Sequence, residues 1–370
     1  MDNITYVFSG GRKKKYKNHE ILAKEFFYGL PYFDSLKYNI RIIEFSNSNN
    51  IFNYFWRIVD KFMSKVISLP FSSSKLVNLN NLKVLMKTNQ LILVNENIAC
   101  SILPLLILLK FFKKIKVSVF VMGLYSKRLK FPKIKIVHNL VIKFLILFID
   151  NVFFLGKGEY EIAKKLHSDS KKLKIFPFSI DEDFWRPEKE IKIFNNEQIL
   201  FVGNDGNRDY KLLTDIAKKL PNYKFVFVSK APELQKVKMK NVEVLDGQWG
   251  SDKITDFDLK KIYENSRITI IPLKESTQPS GQSVALQSMS MGIPVIISKT
   301  EGFWDKENFF DNENILFIQN NNLQEWIEKI ENLYNNEKLI KQVSESSIAT
   351  IKKNFKLEHF NLRLLSYIGN

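Results

Sequence analysis

The 370-residue sequence predicts an α/β protein of two Rossmann-like, doubly wound parallel-sheet domains facing a central cleft. Three observations predict it. Short β-branched and aromatic runs alternate with helix-length amphipathic stretches, the signature of strands joined by helical crossovers. The alternation is broken by a proline-bounded segment at Pro177 and Pro187 and starts afresh at Gln198. The length also suffices for two domains of ordinary size, each with its own core.

Thr5–Phe8 reads as the first strand, followed by Ser9-Gly10-Gly11 and an amphipathic stretch from His19 to Gly29. Arg41–Phe45, Leu91–Val94, Val117–Met122, Val152–Leu155 and Leu173–Pro177 read as further strands, with a helical apolar segment around Ile102–Phe112. The second series runs through Gln198–Val202, a Gly-containing loop, the amphipathic Tyr210–Leu220, Lys224–Ser229 and Asn241–Leu245. It continues with the helix-like Asp258–Asn265 and the strand Ile268–Pro272. Between the series, Pro177 and Pro187 fix extended backbone, and Phe184 and Trp185 can pin the crossover, so a hinge is expected there. These readings give domains of 1–184 and 185–350, with residues 351–370 supplying a helix that returns to the first.

The most telling stretch is Pro279-Ser-Gly-Gln-Ser-Val-Ala-Leu-Gln-Ser-Met-Ser-Met-Gly-Ile-Pro-Val-Ile-Ile-Ser298, a polar turn, a short helix and a buried strand. Ser280, Gly281, Gln282 and Ser283 fall at the helix start. There the first backbone N–H groups lack internal partners and carry the positive end of the helix dipole, which suits a phosphate or diphosphate. Gly292 supplies the helix stop, and Pro294 opens the next strand.

Composition narrows the setting. Cys100 is the single cysteine, which excludes an intrachain disulfide and fits a reducing compartment. The start lacks the basic flank, apolar core and cleavage site of a signal peptide, and a cytoplasmic protein is expected. The longest apolar runs, Ile102–Leu109 and Leu140–Ile149, are closed by Lys110 and interrupted by Lys143, short of the ~18 residues that span a bilayer. Of the net charge of +17, residues 1–185 hold 30 Lys+Arg against 14 Asp+Glu, whereas residues 186–370 hold 26 against 25. The basic excess belongs to the first half. Arg12–Lys15, Lys110, Lys113, Lys114, Lys116 and Lys127-Arg128 surround apolar segments there, as on a surface resting on anionic lipid. A solvated basic face over core helices fits the same pattern. Nucleic acid is not expected, because no binding module accompanies the charge.

The crossover Phe176-Pro-Phe-Ser-Ile-Asp-Glu-Asp-Phe-Trp-Arg-Pro187, Phe201-Val-Gly203 opening the second domain, and Ser280–Ser298 together resemble retaining GT-B glycosyltransferases of group 1, or family 4. The resemblance implies that the first domain holds the acceptor, the second holds a nucleotide diphosphate sugar, and the final helix returns to the first domain. It also implies transfer with retention to a saccharide or lipid-linked acceptor, in bacterial surface-polysaccharide or lipopolysaccharide synthesis. The family's two Glu residues, separated by seven positions, fall here on Pro279 and Gln287. Gln287 keeps an amide oxygen able to accept from a ribose hydroxyl. The sugar contact of the missing carboxylate passes to Gln278, Ser280 or Gln282. Arg208 and Lys211 match the family's Arg and Lys that face the diphosphate, and as residues three apart they are expected to share a helical face. Their task as catalytic groups is to offset charge on the departing nucleoside diphosphate, with no metal and no further cofactor. Gly203 lies beside them, and Gly10 and Gly11 resemble the Gly-rich first loop at the donor phosphate, although a plain turn explains these two equally.

Asp256-Phe-Asp258 imitates a metal-binding Asp-x-Asp but directly precedes a helix, where Asp is expected as a cap. His19, His138, His167 and His359 form no metal or nucleophile cluster. The missing Glu pair keeps two other classes open, a non-catalytic nucleotide-sugar or polyanion binder and a GT-B-fold nucleotide-sugar epimerase; for the latter no acid and base candidates stand out.

Overall fold

The structure, a computed structural model, describes residues 3–20, 22–46, 51–127, 132–167, 170–188, 196–247 and 253–368. The chain forms two compact units, one of Met1–Ile21, Phe26–Phe176 and Arg363–Asn370, the other of Leu22–Glu25 and Pro177–Leu362.

The first unit is built on β1 (Asn3–Phe8), β2 (Asn39–Glu44), β3 (Gln90–Leu93), β4 (Lys116–Val121), β5 (Asn151–Phe154) and β6 (Leu173–Ile175), in the order β2-β1-β3-β4-β5-β6. Every pairing is parallel. A parallel sheet covered by helices buries both faces of its strands, so the inner strands β3 and β5 are buried along their whole length. The second unit repeats the plan with β7 (Gln198–Val202), β8 (Lys224–Val228), β9 (Val242–Leu245), β10 (Ser266–Ile271), β11 (Val295–Ser298) and β12 (Leu316–Ile318), in the order β12-β11-β10-β7-β8-β9. All of these pairs are parallel as well. Each sheet begins in its middle and reverses direction of growth, between β1 and β3 in one and between β7 and β10 in the other. Open α/β sheets bind ligands at the carboxyl ends of strands that flank such a reversal.

Four expectations need correction. The main crossing between units falls at 176/177, not 184/185, and the short Leu22–Glu25 segment already belongs to the second unit. Phe176 packs on Phe120 and Phe153 at 5.4 and 4.6 Å in the first unit. Beyond it, Ile180 N–H donates to the Phe355 carbonyl at 3.0 Å and Trp185 packs on Tyr263 at 5.8 Å, both within the second unit. His19–Gly29 is not one helix: His19 and Tyr28 have φ of 54° and 51°, and a helix at Arg12–Lys17 precedes them. Carboxylates distant in sequence hold the chain there instead, Ala23 N–H and Lys24 N–H donating to Asp256 and Asp181 ahead of a 3-10 turn at Glu25–Phe27. Residues 351–354 complete the Glu337–Asn354 helix of the second unit, and the closing helix, Leu357–Ile368, passes to the first unit only from Arg363. Finally, β12 was not foreseen, being three apolar residues without a period to read.

Candidate functional site

The loop that follows β7 is fixed from both ends. Asp209 caps the Tyr210–Lys219 helix, accepting from Leu212 N–H at 3.0 Å, so Arg208 stands just outside the helix. Asp209 N–H donates to the Pro272 carbonyl at 3.0 Å, and Lys274 N–H donates to the Asn207 carbonyl at 2.8 Å. The Asn207 amide then donates to Gln278 Oε1 at 2.9 Å and Ser280 Oγ at 2.8 Å. These bonds join the loops at the carboxyl ends of β7 and β10 into one frame at the point where the sheet order reverses.

Arg208 sits inside that frame, only 3% exposed. Its Nη1 lies 3.3 Å from Asp205 Oδ2, yet Nε and Nη1 are buried without a hydrogen bond. Gly203 makes the room: a Cβ there would stand 2.2 Å from Arg208 Nε. Gly281 closes the other side, with φ of 82° and a Cβ position 2.9 Å from Ile271 Cγ2 and 3.4 Å from Arg208 Nη1. Gly281 is also the N-cap of the Gln282–Ser290 helix and offers no side-chain cap. A guanidinium with unused donors and the positive end of a helix dipole are therefore neighbours, an arrangement that an anion stabilises. Gly203→Ala is expected to drive the Arg208 side chain from its slot and weaken binding of inorganic diphosphate about tenfold, or ~1.4 kcal/mol, measured by calorimetric titration.

The other sequence candidates are placed as follows. Ser280 and Gln282 are buried at the helix start, and Ser283 is half-buried. Lys211 does not share a face with Arg208. It lies within the helix, its side chain 87% exposed and paired with Asp215 at 2.7 Å, whereas Arg208 precedes the cap and points inward. The spacing rule applies only when both residues are helical. Gly10 and Gly11 follow β1 in the first unit, where Gly11 caps the short Arg12–Lys17 helix with φ of 78° and Arg12 Nη1 donates to the Gly10 carbonyl at 3.4 Å.

Gln287 is 2% exposed and does not stand alone. Its amide donates to Glu25 Oε1 at 2.9 Å, as does Trp185 Nε1 at 2.7 Å. Glu25 Oε2 is buried with no partner. Burial pushes the Glu25 carboxyl up to about 7, against the opposing pull of the bonds from Gln287 and Trp185. The amide hydrogens of Gln287 thus face a carboxyl from the Leu22–Glu25 segment, and its carbonyl oxygen remains the accepting atom. No motif announced Glu25. Its one signal is a lone carboxylate ahead of Phe26-Phe27 in a stretch read as helical.

The first unit holds its own acids at the carboxyl ends of β3 and β5, Glu96 half-buried and Glu159 buried. Glu96 Oε2 accepts from Met122 N–H at 3.1 Å and Glu159 Oε1 from Tyr125 N–H at 2.7 Å. Burial, reinforced by Glu96, pushes Glu159 up to about 8. The histidines have structural company: His138 Nδ1 meets the Ile67 carbonyl at 2.7 Å, and His167 Nε2 meets the Tyr125 hydroxyl at 2.8 Å. Asp256-Phe-Asp258 belongs to a helix start, as expected, but Thr255 is the cap and Asp258 closes the capping box. Among the described residues no group of three or more His, Cys, Asp or Glu is arranged to hold a metal ion. Arg128 of the basic run lies outside the described residues.

Residues 196–336, within the second unit, match the family model of the group 1 glycosyl transferases. No curated protein matches the chain. Among solved structures, the Anabaena protein HepE in complex with UDP-glucose is similar over 100% of both chains, with 12% identity and a TM-score of 0.70. Sucrose-phosphate synthase from Thermosynechococcus elongatus is similar over 99% of this chain and 98% of its own, with 11% identity and a TM-score of 0.69. A glycosyltransferase from Rickettsia africae covers 99% of this chain and 97% of its own, with 15% identity and a TM-score of 0.66. The two six-stranded parallel units have the GT-B fold.

Proposed function

We propose that the protein is a metal-independent glycosyltransferase that moves a hexosyl group, with retention, from a nucleoside diphosphate sugar to a saccharide or lipid-linked acceptor in bacterial surface-polysaccharide synthesis. The observation that carries the reading is the buried, under-bonded Arg208 guanidinium beside the uncapped start of the Gln282–Ser290 helix, in the region that matches the group 1 glycosyl transferases. In the reaction the bond from the anomeric carbon to the diphosphate oxygen breaks and negative charge grows on the departing phosphate. Arg208 and the first amides of the helix offset that charge. The acceptor hydroxyl forms the new bond on the same face and passes its proton to the leaving diphosphate. Gln287, held by Glu25, receives the ribose hydroxyl through its carbonyl oxygen, and Lys211 adds a solvent-side positive charge. The resemblance to UDP-sugar-binding HepE supports UDP as the first nucleotide to test.

The test is thermal denaturation of the purified protein with UDP, GDP, ADP, CMP and their sugars, with and without EDTA. A ligand at about 100 times its dissociation constant stabilises by ~2.7 kcal/mol, a readily measured shift. A selective shift that survives EDTA is expected. No shift with any nucleotide overturns the donor reading, and a shift without donor hydrolysis or transfer favours the non-catalytic binder, for which the replacement of the Glu pair by Pro279 and Gln287 speaks.

A further inference from the structure

The Ile51–Phe62 helix of the first unit is turned inside out. On a helix that packs on a soluble core, apolar residues face inward and polar ones face water. Here Tyr54, Phe55, Ile58 and Phe62 are each more than half exposed, while Asn53 and Asp60 are buried. Asp60 has a structural task inside, its carboxylate accepting from Ser73 N–H at 2.7 Å and Ser74 N–H at 3.0 Å. The inward face is therefore held by hydrogen bonds, and the apolar face is presented outward.

Two neighbouring helices bury apolar side chains inward, among them Leu106 and Ile142, but present further apolar side chains outward beside it. The Met63–Ile67 π-turn that extends the first helix packs on Pro132–Leu147, where His138 holds the Ile67 carbonyl, and Pro132–Leu147 packs in turn on Glu96–Phe112. Phe111 and Phe112 at the end of Glu96–Phe112 are 80% and 70% exposed. Ile136, Leu140 and Leu147 on Pro132–Leu147 are each more than half exposed. Of twenty large apolar side chains that stand exposed among the described residues, twelve belong to these three helices and a thirteenth, Val66, to the π-turn between them. Soluble monomers seldom gather apolar side chains in this way without a partner.

Charge identifies the partner. Lys61, Lys65, Lys114, Lys135 and Lys143 are exposed on or beside the same helices, and the basic excess of the sequence lies in this half. Lys110, by contrast, is paired with Asp150 at 3.2 Å and Lys113 donates to the Met86 carbonyl at 3.2 Å, so those two cations have protein partners. Aromatic and aliphatic side chains interleaved with lysines match the boundary of an anionic bilayer, where rings and aliphatic groups enter between acyl chains and ammonium groups meet lipid phosphates. No helix among the described residues is long and apolar enough to cross a membrane. We infer that the face formed by Ile51–Phe62, Pro132–Leu147 and the end of Glu96–Phe112 docks the protein, without spanning, on a membrane surface rich in anionic phospholipid.

The inference is independent of the donor site, and its test keeps the two apart. The full chain is sedimented with vesicles of phosphatidylcholine alone and of phosphatidylcholine with an equal part of phosphatidylglycerol. Binding to the second and not the first is expected. The variant Phe55→Ser/Phe111→Ser/Leu140→Ser changes only exposed positions and should lose at least about tenfold in partitioning. Lys61→Glu/Lys143→Glu should weaken binding in the same direction. Both variants keep the same nucleotide-induced thermal shift as wild type, which reports on the second unit alone. Failure of wild type to bind anionic vesicles overturns the inference, as does full binding by the triple serine variant. A wild-type dimer in light scattering that becomes a monomer in the triple variant also overturns it, because a second copy would then cover the face.

Discussion

Arg208→Ala is expected to lower turnover by about 10²–10³-fold, the range found when a preorganised charge-stabilising donor is removed. The structure also fixes the sign of the stability change. Arg208 is buried with two guanidinium nitrogens lacking hydrogen bonds, and its one close carboxylate, Asp205, is itself 40% exposed. Removing such a group relieves an unpaid desolvation cost, and the carboxylate left behind returns to water. The alanine variant should therefore unfold at the same temperature as wild type or higher while losing activity. A structural role for Arg208 gives the opposite pair of results, lower stability with turnover retained. Arg208→Lys separates charge from shape: it restores a cation but not the planar fork, and should recover only part of the loss. Steady-state transfer kinetics with the thermal midpoint of each variant decide the matter, and the acceptor KM should not move, because only the departing diphosphate is affected.

How far the site could be read from the sequence follows from the reach of its interactions. The strand Ser266–Ile271, the turn at Ser280-Gly281 and the helix Gln282–Ser290 lie within one local stretch, so period and turn chemistry located them to within two residues. Arg208 was legible through its place after β7 and its family resemblance. Its burial was not, because that depends on Gly203 and Gly281, which flank it from different loops. The shared face with Lys211 failed for a local reason, the cap at Asp209, which starts the helix at Tyr210, two residues too late to include Arg208. Glu25 was invisible because its partners Trp185 and Gln287 lie 160 and 262 residues away. The outward apolar face of Ile51–Phe62 was equally hidden. An amphipathic pattern reads the same whether its apolar side faces core or solvent, and only the burial of Asp60 shows which way it turns.

Glu25 gives the protein a pH dependence whose sign is opposite to that of a salt-bridged carboxylate. Its folded-state value of about 7 lies above the 4.5 of an unperturbed Glu, so the folded protein holds the proton more tightly than the unfolded chain. The stabilisation by that proton is complete below the unfolded value and is lost as pH rises through the folded one, on the order of 3 kcal/mol across the window. Glu25→Gln keeps an oxygen to accept from Trp185 Nε1 and the Gln287 amide but cannot ionise. It should flatten the slope of denaturant midpoint against pH between about pH 5 and pH 8, and be more stable than wild type at the upper end. Glu159, pushed up to about 8, supplies a slope of the same sign in the first unit that persists in both proteins, so the difference between them reports Glu25 alone. Glu25→Leu removes the charge and the acceptor together. It leaves two buried donors unmade, at about 1–3 kcal/mol each, and should be less stable than Glu25→Gln at every pH. Chemical denaturation of the three proteins across the pH range provides the comparison. A wild-type slope that Glu25→Gln leaves unchanged would show that the carboxyl titrates as an ordinary surface acid and that Gln287 is not held by it.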